Sequence, residues 1–146
     1  MTIDDDYRFM GYALAEARKA FSEGEVPIGA VVVADGRIVA SAHNMTEALT
    51  DVTAHAEMLA LTAAQSALGK YLRDATLYVT VEPCTMCAGA IGWARPGRVV
   101  YGASEPRIGY TTVVSRSPLH PRTVVVQGVR ADEASQLMKD FFAVRR

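Results

Sequence analysis

Cysteine is scarce here: the 146 residues contain two, Cys84 and Cys87. Both fall within one four-residue stretch, so no long-range disulfide framework can be built, and a thiol pair of this kind suits a reducing compartment. Long apolar runs are also missing. Nothing approaches the roughly 18 residues of a membrane span, and the chain opens Met1-Thr2-Ile3 into Asp4-Asp5-Asp6 without the basic and apolar regions of a leader. These absences predict a cytoplasmic protein with no membrane partner. The net charge of -1 lacks the overall excess expected of a general polyanion binder. Half the residues are apolar and 21% are charged, which fits one globular domain over 1–146.

The few metal-binding side chains are concentrated in a pattern. His55-Ala56-Glu57 is followed downstream by Pro83-Cys84-Thr85-Met86-Cys87. With two cysteines in all, one chain can close neither a four-cysteine site nor a site of three cysteines and a histidine. Three ligands, His55, Cys84 and Cys87, with a carboxylate nearby, describe instead a catalytic zinc that keeps its fourth position for water. Each residue alone is weak evidence: a lone Cys-x-x-Cys can be a redox pair, a lone histidine is more often a satisfied core or capping residue, and a lone glutamate is commonly a solvated helix residue.

Patterning places these residues. Tyr7, Met10, Leu14, Ala17 and Phe21 recur at helical spacing, predicting a first helix over roughly 4–22. Two short β-rich runs, 28–33 and 37–41, meet at an Asp35-Gly36 hairpin signal. The Ala- and Leu-rich stretch 53–68 reads as a second helix with His55 and Glu57 in its first turn. A buried strand over 75–81 turns at Glu82-Pro83 into a helix beginning near Cys84, where free amides and the helix dipole favour thiolate. A strand over 98–102, a long Pro- and Gly-containing connection over 103–121, a strand over 123–126 and a helix over 132–145 complete the chain. The alternation predicts an α/β fold: a three-layer α/β/α arrangement with a mixed five-stranded sheet, the two ligand-bearing helix starts meeting at one edge.

His-x-Glu followed by Pro-Cys-x-x-Cys is the signature of the zinc nucleobase deaminases. That resemblance assigns one Zn2+ per subunit to His55, Cys84 and Cys87, and to Glu57 the role of taking a proton from water and returning it to the departing amine, the outline of a hydrolytic deamination. Val26-Pro27-Ile28-Gly29-Ala30, Asn44, Thr53 to Glu57, Ala75 to Thr80, Glu82-Pro83-Cys84 and Met86 to Ala90 extend the similarity to the cytidine-deaminase superfamily. More narrowly, nearly the whole chain resembles the bacterial tRNA adenosine deaminases, which convert adenosine to inosine at the anticodon wobble position. By that resemblance Asn44 contacts the target base, Ile28 packs beside it, the backbone near Ala56 faces its Watson-Crick edge, and the enzyme is a homodimer acting on a tRNA anticodon stem-loop.

Two departures are visible. Glu105 stands where an aspartate near the ribose is usual, and Trp93-Ala94-Arg95-Pro96 resembles the free guanine deaminases, which makes Trp93 a candidate base-pocket wall as well as a candidate core or interface residue. Free-base deamination is therefore the alternative, with a non-catalytic zinc-stabilised RNA-binding module behind it. Charge favours RNA: residues 1–91 hold 6 Lys/Arg against 12 Asp/Glu, while 92–146 hold 9 against 4. Arg95, Arg98, Arg107, Arg116, Arg122, Arg145 and Arg146, with His120 and Tyr110 interleaved, are the candidate phosphate and stacking contacts.

Overall fold

A computed structural model describes residues 2–145. Helix α1 (Ile3–Ser22) starts at a capping box, in which Asp5 N–H donates to Thr2 Oγ1 and Thr2 N–H to Asp5 Oδ2. Asp4, Asp5 and Asp6 in its first turn complement the positive end of the dipole. The buried stripe is Phe9, Met10, Ala13, Leu14, Ala17 and Ala20. Tyr7, expected on it, is instead 56% exposed and lies flat against Arg130. The stripe centres on Met10, Ala13, Leu14 and Ala17, and Tyr7 flanks it.

Strands β1 (Gly29–Ala34) and β2 (Arg37–His43) form the expected hairpin. Its two turn residues, Asp35 and Gly36, both have positive φ, 53° and 71°, the twist a two-residue hairpin loop needs. β3 (Ala75–Val81), buried along its whole length, pairs antiparallel with β1 and parallel with β4 (Arg98–Ala103), which pairs parallel with the three-residue β5 (Val124–Val126). The sheet order is β2-β1-β3-β4-β5. This is the mixed five-stranded sheet predicted from the sequence.

Helices α2 (Ala56–Leu68) and α3 (Thr85–Ala94) cover one face. Their inward residues, Ala56, Ala60, Leu61, Ala64, Ala88 and Ile91, pack on Val32, Leu77, Val79 and Val99; the many alanines let the two helices approach the sheet closely. On the other face α1 and α5 (Ala131–Val144) pack on Val31, Val33, Tyr78 and Val100. Gly29 fixes the seat of α1, because a Cβ there would lie 2.0 Å from the Ala13 carbonyl oxygen. The connection 104–123 is not irregular throughout: it holds a short helix, α4 (Tyr110–Val113). No helix among the described residues is long and apolar enough to cross a membrane.

Candidate metal centre and active site

The second helix starts at Ala56, later than its composition suggests. Asp51 Oδ1 accepts from both the amide and hydroxyl of Thr53 at 2.8 Å, a local turn that holds the preceding chain out of the helix. His55 is then the extended N-cap residue, but its side chain makes no capping bond. Asn44, from the end of β2, performs that task across the fold: its Oδ1 accepts from Ala56 N–H at 2.8 Å. The imidazole is thereby left available for other bonds.

Cys84 is the N-cap of α3 and Cys87 lies in its first turn. Because α2 and α3 lie side by side on one face, their starts bring the three donors together over the carboxyl end of β3, the central strand, and not at a lateral edge of the sheet. His55 Nδ1 stands 3.7 Å from Cys84 Sγ and 3.4 Å from Cys87 Sγ. Ordinary Zn–S and Zn–N bonds at tetrahedral angles require an S···N edge of about 3.6 Å. The observed edges bracket that value, so the donor set fits zinc in both chemistry and size. A Zn2+ held there supplies the Lewis acidity that brings the pKa of water towards about 7.

The same closeness couples the protons of the donors. Hydrogen bonds from Cys87 first and His55 second hold the Cys84 thiol down at about 3, and the bonded Cys84 sulfur together with burial pushes Cys87 up. His55 is raised chiefly by its bond to Cys84. Metal binding displaces these protons.

Glu57, the second residue of α2, is 3% exposed, and its Oε1 is the buried side-chain oxygen with no hydrogen-bond partner among the described residues. Burial pushes its carboxyl up to about 7. A carboxyl titrating there is matched to taking and giving protons at neutral pH.

These groups open into a cavity of about 270 Å³. Ile28 and Asn44 line it beside His55, Glu57 and Cys84; Glu105, Arg107 and Ile108 form one wall, and Met138 and Phe142 of α5 another. The volume accommodates about one base with part of its sugar.

Residues 3–103 match the sequence profile of the cytidine and deoxycytidylate deaminase zinc-binding region. A tRNA-specific adenosine deaminase of Agrobacterium fabrum is 46% identical over 143 residues, 94% of each chain. The chain belongs to the tRNA-specific adenosine deaminases of that family. A solved structure from a study of A-to-I editing by tRNA:A34 deaminases at the wobble position superposes with a TM-score of 0.82 at 46% identity, covering 89% of this chain and 98% of that one. A guanine deaminase from Bacillus subtilis is 41% identical but covers 72% of this chain and 65% of its own, with a TM-score of 0.64. In this deaminase the matched zinc-binding region contains the whole observed cluster, His55, Cys84 and Cys87.

The remaining sequence candidates separate. Ala56 is buried and its amide is spent on Asn44. Glu105 reaches the cavity, but its Oε1 accepts from Arg107 N–H at 3.1 Å. Trp93 is 78% exposed and is not among the residues of its own chain that line the cavity, so it is not core. Tyr110 is buried, which removes it as a stacking surface. Arg98 is committed to Asp6 through two bonds of 3.0 and 2.7 Å. His120 and Arg122 line a separate recess with Arg73 and Arg95, at the amino ends of β3, β4 and β5 and so at the opposite end of the sheet from the ligands. Arg107 is exposed beside the cavity, and Arg145 lies over the Phe141 ring in a groove adjoining Glu105 and Arg107. Arg146 lies outside the described residues. Glu82, buried beside Cys84, was read from the sequence only as part of a turn and of the Glu82-Pro83-Cys84 resemblance, with no role assigned to it.

Proposed function

We propose that the protein deaminates adenosine to inosine at the wobble position of a tRNA anticodon loop, as a cytoplasmic homodimer of one-domain subunits. The observation that carries the chemistry is Glu57 Oε1: a buried oxygen without a partner, two residues from His55, on a carboxyl that titrates near neutrality. Glu57 takes the proton of the attacking water and hands it to the departing amino group. His55, Cys84 and Cys87 hold the metal. Asn44, steadied by Ala56, presents its side-chain amide to the base, and Ile28 packs beside it.

A loop nucleotide is already unpaired, so turning its base into a one-base cavity costs little. Arg107 and Arg145, next to that cavity, are the phosphate contacts best placed to serve it, while Glu105 is placed to meet the sugar. The free-base alternative rested on Glu105 and Trp93; Glu105 lines the cavity and Trp93 does not. Trp93 on α3, 78% exposed, supports a dimer in which it is covered.

The test is deamination by the zinc-loaded protein of an anticodon stem-loop carrying adenosine at the wobble position, beside free guanine, adenine and cytidine. Conversion of the stem-loop alone is expected. Turnover of guanine and not of the stem-loop would overturn the reading, and a monomer at micromolar concentration in light scattering would remove the dimer.

A further inference from the structure

One wall of the cavity hangs from a single buried carboxylate. Glu82, 5% exposed, accepts Glu105 N–H at Oε1 over 3.1 Å. Its Oε2 accepts Thr111 N–H at 3.0 Å and Thr111 Oγ1–H at 2.6 Å. Gly109 makes this approach feasible, because a Cβ there would lie 2.4 Å from Glu82 Cδ. Two more bonds draw the same segments together: Tyr110 N–H donates to the Pro83 carbonyl at 3.0 Å, and Cys84 forms a β-bridge with Gly109. Residues 105–108, which carry Glu105, Arg107 and Ile108 into the cavity, thus span between two anchors that both end on Glu82.

We infer that Glu82 is a positioning residue for the substrate: its carboxylate clamps the 105–108 wall at a set distance from the metal ligands and so governs how tightly the nucleoside is held. Every side-chain hydrogen bond it makes goes to Glu105 or Thr111, the two residues that bracket the wall, and none goes to the ligand-bearing residues 84–87. Only a carboxylate serves both anchors. Glutamine has one acceptor oxygen, and its amino group would face one of the donors, leaving a buried N–H unpaired. The inference rests on the proposed RNA substrate for its kinetic consequence, but not for the clamp itself.

The test uses Glu82→Gln, and Thr111→Val, which removes one donor at an exposed position and keeps the inference testable if the first variant does not fold. On the wobble-adenosine stem-loop, Glu82→Gln should raise KM about tenfold or more, and Thr111→Val about threefold, with kcat within about threefold of the parent. Zinc should remain at one per chain. A fall in kcat at unchanged KM, loss of zinc, or unchanged constants in both variants would overturn the inference. Without any substrate, the amides of Glu105 and Thr111 should exchange with deuterium about tenfold faster in Glu82→Gln while those of α2 and α3 do not; equal exchange would also overturn it. If the parent does not convert the stem-loop, the substrate reading falls, and the exchange result alone decides the clamp.

Discussion

The side-chain oxygen of Asn44 and the backbone amide of Ala56, twelve residues apart, meet at 2.8 Å and close the start of α2 from outside. One residue thereby caps the helix that carries His55 and Glu57 and lines the cavity. The two tasks separate by substitution. Asn44→Asp keeps the acceptor and loses the side-chain N–H, so it should unfold within about 1 kcal/mol of the parent yet lose most of its turnover. Asn44→Ala should lose both, at about 1–2 kcal/mol. Thermal unfolding beside single-turnover rates checks this; an active Asn44→Asp would exclude the side-chain amide from substrate contact.

Glu57→Gln should fold, hold zinc and lose on the order of 10³-fold or more in kcat. Its melting temperature should equal or exceed that of the parent, because a neutral amide replaces a buried, unpartnered carboxyl. Metal analysis and stopped assays suffice. Comparable turnover in the variant would end the proton-transfer role.

Asp6 and Tyr78, both buried, form a triad with the half-buried Arg98 in which the Tyr78 hydroxyl donates to Asp6 Oδ1 at 2.6 Å and Arg98 grips both carboxylate oxygens. Removing the acid leaves two donors without an acceptor, so Asp6→Ala should cost about 3 kcal/mol, a fall of roughly 6–12 °C in melting temperature. Arg98 should be silent in RNA binding for the same reason. Arg107→Ala is expected to reduce the salt slope of stem-loop binding by about 1, whereas Arg98→Lys leaves it where it was. Equal slopes for Arg107→Ala and the parent would take that residue out of the RNA footprint.

Both ring nitrogens of His43 are held by carboxylates, Glu16 at 2.9 Å and Glu23 at 3.0 Å. Burial opposes the charge of the ring, but the two carboxylates outweigh it and raise the histidine. A folded pKa above the unfolded value of about 6.5 means that the contribution is complete below that value and fades as pH rises through the folded one. Glu16 is opposite in sign: burial works against its charge, its bonds to His43 and Lys19 prevail and lower it, and its contribution fades as pH falls through its folded value. His43→Gln should therefore cost on the order of 1 kcal/mol near pH 6, with the gap narrowing by pH 9. A gap that is constant or widens with pH in thermal unfolding would contradict the assignment.

Periodicity revealed most of the architecture, because it depends on residues near one another in sequence, whereas the ligands, 29 and 32 residues apart, were legible through a signature pattern of residue types. β3 was legible as a continuous apolar run, the hairpin from Asp35-Gly36, and the metal site from its resemblance to the deaminase signature. What stayed hidden was long-range pairing. Arg98 read as a phosphate contact because its partner is 92 residues away, and Tyr110 read as a stacking ring although the fold turns it inward. The start of α2 was placed too early because Ala and Leu composition does not register the Asp51–Thr53 turn. Glu82 escaped for the same reason as Arg98: its bonds span 23 and 29 residues.

The cavity draws its walls from opposite sides of the sheet. The ligands and Glu57 belong to α2 and α3, wedged against one face by alanines, while Met138 and Phe142 come from α5, the last helix, on the other. Met138 and Phe142 thus line the cavity from a helix that carries none of the metal-ligating side chains. Redesign of the outward positions near the end of α5 can retune which polynucleotide is admitted while the hydrolytic apparatus stays fixed, so the scaffold lends itself to a change of client without a change of trade.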